Sequence, residues 1–119
     1  AGLYSQLEVN RGLPARLLTR YFTREGLHWR LSSQIRDMVS FRSQNLIHPW
    51  TGIPRVDVVF LRNVLIYFEV EVRRQILARV RQVLAPDGYL FLGGAETTLN
   101  LDDHFQRIQV NQYAYHCLR

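Results

Sequence analysis

The sequence contains no lysine; all fifteen of its basic residues are arginine. Against ten acidic residues they leave a net charge of +5, a sign that attracts phosphate. The arginines are scattered, however, and no basic run is interleaved with aromatics, so nucleic-acid binding is not expected. The all-arginine usage is read as base composition of the coding genome. Cysteine is nearly absent too. Cys117 stands alone, which excludes an internal disulfide and the multi-cysteine zinc sites and makes a reducing, cytoplasmic setting the natural reading. Its place in an expected strand suits an inert buried thiol. His28, His48, His104 and His116 are spread out without ligand spacing, so no metal site is expected. No apolar run approaches the roughly 18 residues that would suggest a membrane span. The first residues lack a basic region followed by an apolar one, so no signal peptide and no membrane insertion are expected. Repeats and low-complexity segments are also missing.

What is present is a chain of 119 residues, 47% hydrophobic, enough for one small domain with a buried core. Pro14–Phe22 reads as a helix. Proline suits its first turn, and Leu17, Leu18, Tyr21 and Phe22 share one face. Leu27, Trp29 and Leu31 alternate with polar residues, as do Val39 and Phe41, so two short strands are predicted around an ambiguous Ile35–Met38. His48–Pro54 is a loop by its proline and glycine. Val56–Arg62 is a continuous apolar strand, the pattern of a parallel strand covered on both faces. Glu69–Leu84 is the clearest helix, with Val72, Ile76, Leu77, Val80, Val83 and Leu84 in one stripe and acidic residues in its first turn. A turn is predicted at Pro86-Asp87-Gly88, then a buried strand in the Tyr89–Gly94 segment, YLFLGG. Phe105–Val110 and Tyr113–Arg119 follow as a hairpin. The order from Val56 onward is that of an α/β fold with an antiparallel edge.

Ligands of open α/β sheets bind beyond the carboxyl ends of the strands. Arg62 and Asn63 stand at one such end. Gly93 and Gly94 stand at the next, where a missing side chain lets a ligand approach the backbone. Asn45, after the Val39–Phe41 segment, is expected at a third. Each also has a plain structural reading: Arg62 solvating a strand end, Asn63 capping a turn, Tyr67 packing with its hydroxyl at the surface, Glu96 serving as an ordinary loop carboxylate.

Several segments together resemble the CheR family of chemotaxis-receptor methyltransferases: YSQLEVNRGLP, RYFTREG, IRDMVSFRSQNL, DVVFLRNVLIYF, ILARVRQVLAPDGYLFLG and the closing YAYHCL. RNVLIYF is the specific one; LAPDGYLFLG is common among methyltransferases. The resemblance implies a partial Rossmann-like methyltransferase sheet and S-adenosylmethionine as cofactor, with methyl transfer to glutamate side chains on the cytoplasmic domain of chemotaxis receptors. It implies that Asn45 and Leu46 contact the adenine side of the cofactor and that Arg62 and Asn63 line its pocket. Tyr67 would lie near the sulfonium and the acceptor, and Arg24 would help place the substrate carboxylate. Residues 27–42 resemble a small β-subdomain that binds a receptor tail in some members.

The family commonly has Gly-His-Ser-Glu after the second of these strands; here the residues are Gly93-Gly94-Ala95-Glu96. The family's helical N-terminal domain and glycine-rich cofactor loop are not among these residues. The chain is therefore expected to be the C-terminal part of a catalytic domain, inactive alone, with an unpaired edge on the Val56–Arg62 strand that favours dimerisation or segment exchange. Two competing readings are a non-catalytic signalling module that kept the fold and a small-molecule methyltransferase.

Overall fold

Residues 1–43 and 44–119 form two separate units in the computed structural model, which describes all 119 residues. The first is built on three short strands, β1 (Leu3–Ser5), β2 (Phe22–Glu25) and β3 (His28–Leu31), antiparallel in the order β1-β3-β2. Ser5 ends β1 and starts helix α1 (Gln6–Val9) through a reciprocal cap. Its Oγ accepts from the Glu8 N–H at 3.2 Å, and the Glu8 carboxylate accepts from the Ser5 N–H at 2.7 Å, so two otherwise orphaned donors are satisfied. Helix α2 (Ala15–Tyr21) begins one residue after Pro14, whose carbonyl accepts from Leu17 and Leu18. The β2–β3 hairpin turns at Gly26, in the left-handed region at φ +61°. Trp29 Nε1 donates to Gln6 Oε1 at 2.8 Å, and Tyr4 meets Phe22 edge to face.

The strand expected at Val39–Phe41 is not formed. The short helix α3 (Ser33–Arg36) ends in a turn, and no strand lies between it and residue 56. Alternation makes a strand only where a neighbour accepts its backbone groups and covers one face. Here the ladder partners belong to β1, β2 and β3 alone, and Phe41 is left 92% exposed.

The second unit carries the mixed sheet. Strand β4 (Val56–Leu61) is followed by a single 3₁₀ turn (Leu65–Tyr67), helix α4 (Val70–Val83) and strand β5 (Leu84–Leu92), then by the hairpin β6 (Phe105–Val110) and β7 (Tyr113–Leu118). The strand order is β4-β5-β7-β6, with β4 and β5 parallel and the rest antiparallel. The α/β sheet with an antiparallel C-terminal edge is as expected. The β6–β7 hairpin closes on Asn111, whose φ of +55° is a conformation that asparagine tolerates better than most residues.

Pro86-Asp87-Gly88 does not form a free-standing turn. Helix α4 runs directly into β5, where Leu84 faces Val56 and Tyr89 faces Val58, so residues 85–88 stand opposite Asp57 alone. The turn residues are taken up as an irregularity inside the strand. Gly88 fits there because a Cβ would lie 2.9 Å from the Asp57 carbonyl oxygen.

Helix α4 lays Ile76, Leu77 and Val80 on Leu61, Leu84, Leu90 and Leu92, with Leu65 and Phe105 closing the cluster. Complete burial of such side chains stabilises by about 1.5–3 kcal/mol each. Only this face of the sheet is covered within the unit. On the other, Val58 and Phe60 of β4 are exposed. Phe60 stacks on Phe91 at 5.0 Å, and Tyr115 packs against Tyr89 at 5.1 Å and Phe91 at 6.2 Å. The hairpin joins β5 through a single registered pair, Leu90 with His116.

Candidate functional site

Strand β4 ends at Leu61, and the chain turns at once. Asn63 adopts φ +58°, a backbone that costs most non-glycine residues about 1 kcal/mol or more and asparagine less. Its cause is visible across the turn. The Glu96 carboxylate, from the loop after β5, accepts backbone N–H groups with both oxygens. Oε1 takes Asn63 at 2.6 Å and Gly93 at 2.8 Å; Oε2 takes Val64 at 3.0 Å and Ile66 at 3.3 Å. Burial pushes this carboxyl up. The backbone N–H groups of Asn63, Gly93, Leu65 and Ile66 more than offset that, and its pKa lies below the ordinary 4.5.

Gly93 is required by the same construction. A Cβ there would collide with Asn63 Oδ1 and lie 2.6 Å from Glu96 Oε1. Glycine at this strand end thus makes room for the asparagine and the carboxylate. The turn carries Tyr67 at the end of the 3₁₀ segment, 79% exposed. Two of the bonds from Glu96 fall on N–H groups at the start of that segment, which has no turn of helix before it to use them.

Arg62, Gly93, Gly94 and Glu96 line a cleft of about 370 Å³ together with Phe60, Phe91, Arg107 and His116. Two guanidinium groups and two side-chain-free backbone positions favour a ligand carrying polar or anionic groups. His116, expected only to pack, is 3% exposed with neither ring nitrogen hydrogen-bonded. Burial, then the charge of Arg107, lowers its pKa against a smaller opposing effect of the Leu90 backbone, so the ring is held neutral.

The other predicted residues stand elsewhere. Asn45 does not follow a strand directly, since none forms at Val39–Phe41; its Oδ1 accepts from the Ile47 N–H at 3.1 Å in a local turn. The third strand end expected there is therefore absent. Leu46 is half-buried against the core, and its carbonyl accepts from Trp50 Nε1 at 3.1 Å. Arg24 belongs to the first unit, on β2. Its Nε donates to the Gly26 carbonyl at 3.2 Å, and its guanidinium lies over the Trp29 ring, 6.0 Å from the centroid. The second unit thus gathers Arg62, Asn63 and Tyr67 on one turn, tied to Gly93 by Glu96.

A strand-end turn of this kind, facing two glycines just after the neighbouring parallel strand, is a place to hold a cofactor. Residues 1–114 match the family described as CheR methyltransferase, SAM binding domain. The chain belongs to the CheR methyltransferase family. It is 46% identical over 110 residues to chemotaxis protein methyltransferase 1 of Pseudomonas aeruginosa, covering 92% of this chain and 40% of that protein. It is 44% identical over 109 residues to chemotaxis protein methyltransferase Cher2 of Pseudomonas putida, covering 91% and 40%. With the chemotaxis protein methyltransferase of Salmonella typhimurium it shares 37% over 111 residues, covering 88% and 38%. The chain spans about two fifths of the length of these relatives. The cofactor of this CheR domain is S-adenosylmethionine. The open cleft at the strand ends fits such a group, because Gly93 and Gly94 place no side chain in its way. No helix is long and apolar enough to cross a membrane.

Proposed function

We propose that this chain is the C-terminal part of a catalytic domain that methylates glutamate side chains on the cytoplasmic domain of chemotaxis receptors, working in the cytoplasm, and that alone it is inactive. The observation that carries this is the turn on which Arg62, Asn63 and Tyr67 gather beside Gly93 and Gly94, in a chain of this family. When bound, S-adenosylmethionine supplies an electrophilic methyl group on a sulfonium. A glutamate acceptor is already ionised at neutral pH, so the site needs no strong base. It needs alignment and the removal of water.

The residues divide that work. Arg62 and Asn63 line the cofactor pocket, and Asn45 and Leu46 serve its adenine side. Arg24 holds one oxygen of the acceptor carboxylate while the other attacks, a task that suits a planar guanidinium. The Tyr67 hydroxyl orients the acceptor without adding charge. Anion and cation become neutral ester and thioether during transfer, so positioning contributes more than static charge.

Calorimetry with S-adenosylmethionine tests the reading, on this chain and on a longer form extended upstream to the length of the relatives. Binding by the longer form, with little or none by this chain, is expected. Absence of binding by both would favour a non-catalytic signalling module, for which the departure at Gly94 and Ala95 from the family's usual loop is the motive.

A further inference from the structure

We infer that Glu96 is a positioning residue for the reaction: its carboxylate locks the turn that follows Arg62 at the cleft and carries Asn63 and Tyr67. The inference rests on the proposed function for the word reaction, and on geometry for the lock.

Four backbone N–H groups converge on one side chain. They come from two segments remote in sequence, Asn63–Ile66 after β4 and Gly93 after β5. The Glu96 N–H in turn donates to the Gly93 carbonyl at 3.0 Å, which bends the loop back on itself and points the carboxylate at the turn. An ordinary loop carboxylate would face solvent, whereas both oxygens of this one are used twice.

The chemistry needs a carboxylate. An ionised carboxyl is acceptor-only, with about four lone-pair sites, and here it meets four donors. Glutamine offers one accepting oxygen, and its NH₂ would face two N–H groups. Aspartate is one methylene shorter and cannot span the same gap from the same backbone. The turn also has reason to relax without the lock, since Asn63 is held in the left-handed region and Tyr67 lies mostly in solvent with little packing of its own.

Glu96→Gln and Glu96→Ala in the longer form provide the test, with Asp102→Asn as a matched destabilised control. Asp102 also lies in the loop after β5, but its carboxylate bonds Arg81 and His104, away from the turn. In both Glu96 variants the amides of Asn63, Val64, Ile66 and Gly93 are expected to lose protection from hydrogen exchange. Methyl-transfer kcat/KM is expected to fall about 10–100-fold, the scale of a misplacement near 1 Å, with most of the loss in kcat for Glu96→Gln. Asp102→Asn should lower thermal stability while leaving those four amides and the cofactor KM unchanged. Glu96 variants with wild-type kcat and KM would overturn the inference, as would amides that stay protected in Glu96→Ala. Failure of the wild-type longer form to bind cofactor would overturn the methyltransferase reading and Glu96's part in the reaction with it; the amides would still decide the lock.

Discussion

Arg81 Nε and Asp102 Oδ2 meet at 2.7 Å, fastening the loop after β5 to the last turn of α4. The Asp102 side chain is 5% exposed, and its second oxygen accepts the His104 N–H and lies 2.9 Å from the His104 ring. Burial raises the Asp102 pKa, but the His104 backbone, Arg81 and the His104 ring lower it further, to below its ordinary 3.8. Asp102→Asn is expected to cost about 1 kcal/mol, the scale of a hydrogen-bonded ion pair whose cationic partner keeps part of its hydration, read from chemical denaturation.

Acid should weaken the same clamp and the Glu96 lock together. Both carboxyls have folded pKa values below their unfolded ones. Each therefore contributes stability that is fully present above the unfolded value, near pH 4 to 5, and is lost as pH falls through the lowered folded value. Denaturation midpoints measured from pH 7 downward should hold level and then drop below about pH 5. A drop already complete at pH 6 would contradict the assignment.

Gly93→Ala should act through a collision rather than through backbone conformation. The added methyl meets Asn63 Oδ1 and Glu96 Oε1, so the carboxylate or the asparagine must move. An overpacked site of this kind costs roughly 1–3 kcal/mol. The Asn63 and Val64 amide resonances should shift as they do in Glu96→Gln; unchanged resonances would mean that the loop gives way elsewhere.

Tyr67→Phe separates function from stability. The side chain is mostly in solvent, so the melting temperature should stay within a change equivalent to about 0.5 kcal/mol. Methyl transfer by the longer form should nevertheless fall. Undiminished turnover would remove Tyr67 from the site.

Self-association is expected through the open side of β4, which pairs with β5 alone and exposes Phe60 beside its free edge. Sedimentation of this chain at rising concentration should show dimers, and Phe60→Glu should restore the monomer. A wild-type chain that stays monomeric at high concentration would refute this.

The second unit was legible because its signals are strong and local. The α4 stripe and the apolar β4 run each have a single pattern and clear ends, and the hairpin strands are legible although Val110-Asn111-Gln112 is a weak turn signal. The Val39–Phe41 alternation misled because period two specifies a face and not a partner, and no partner is present. The Ser5-to-Glu8 capping box has its own sequence signature, Ser-x-x-Glu. Arg62 and Asn63 are legible from their place at a strand end, whereas Tyr67 enters through the family resemblance of RNVLIYF. Glu96 was weighed only as a loop carboxylate, since its four donors lie up to 33 residues away and backbone N–H groups leave no trace in residue type. His116 was missed for a similar reason: its burial comes from pairing with β5, which spacing does not reveal.

The seam between β5 and β7 has one registered ladder pair, and the rings of Tyr89, Phe91 and Tyr115 lie across it. It is held by side-chain burial more than by directional backbone bonds, so it inherits the thermal signature of the hydrophobic effect, which fades on cooling. The β6–β7 hairpin should accordingly behave as its own cooperative unit. Its amides should open before those of β4 and α4, and the gap in opening free energy should widen towards 0 °C, when hydrogen exchange is followed as a function of temperature.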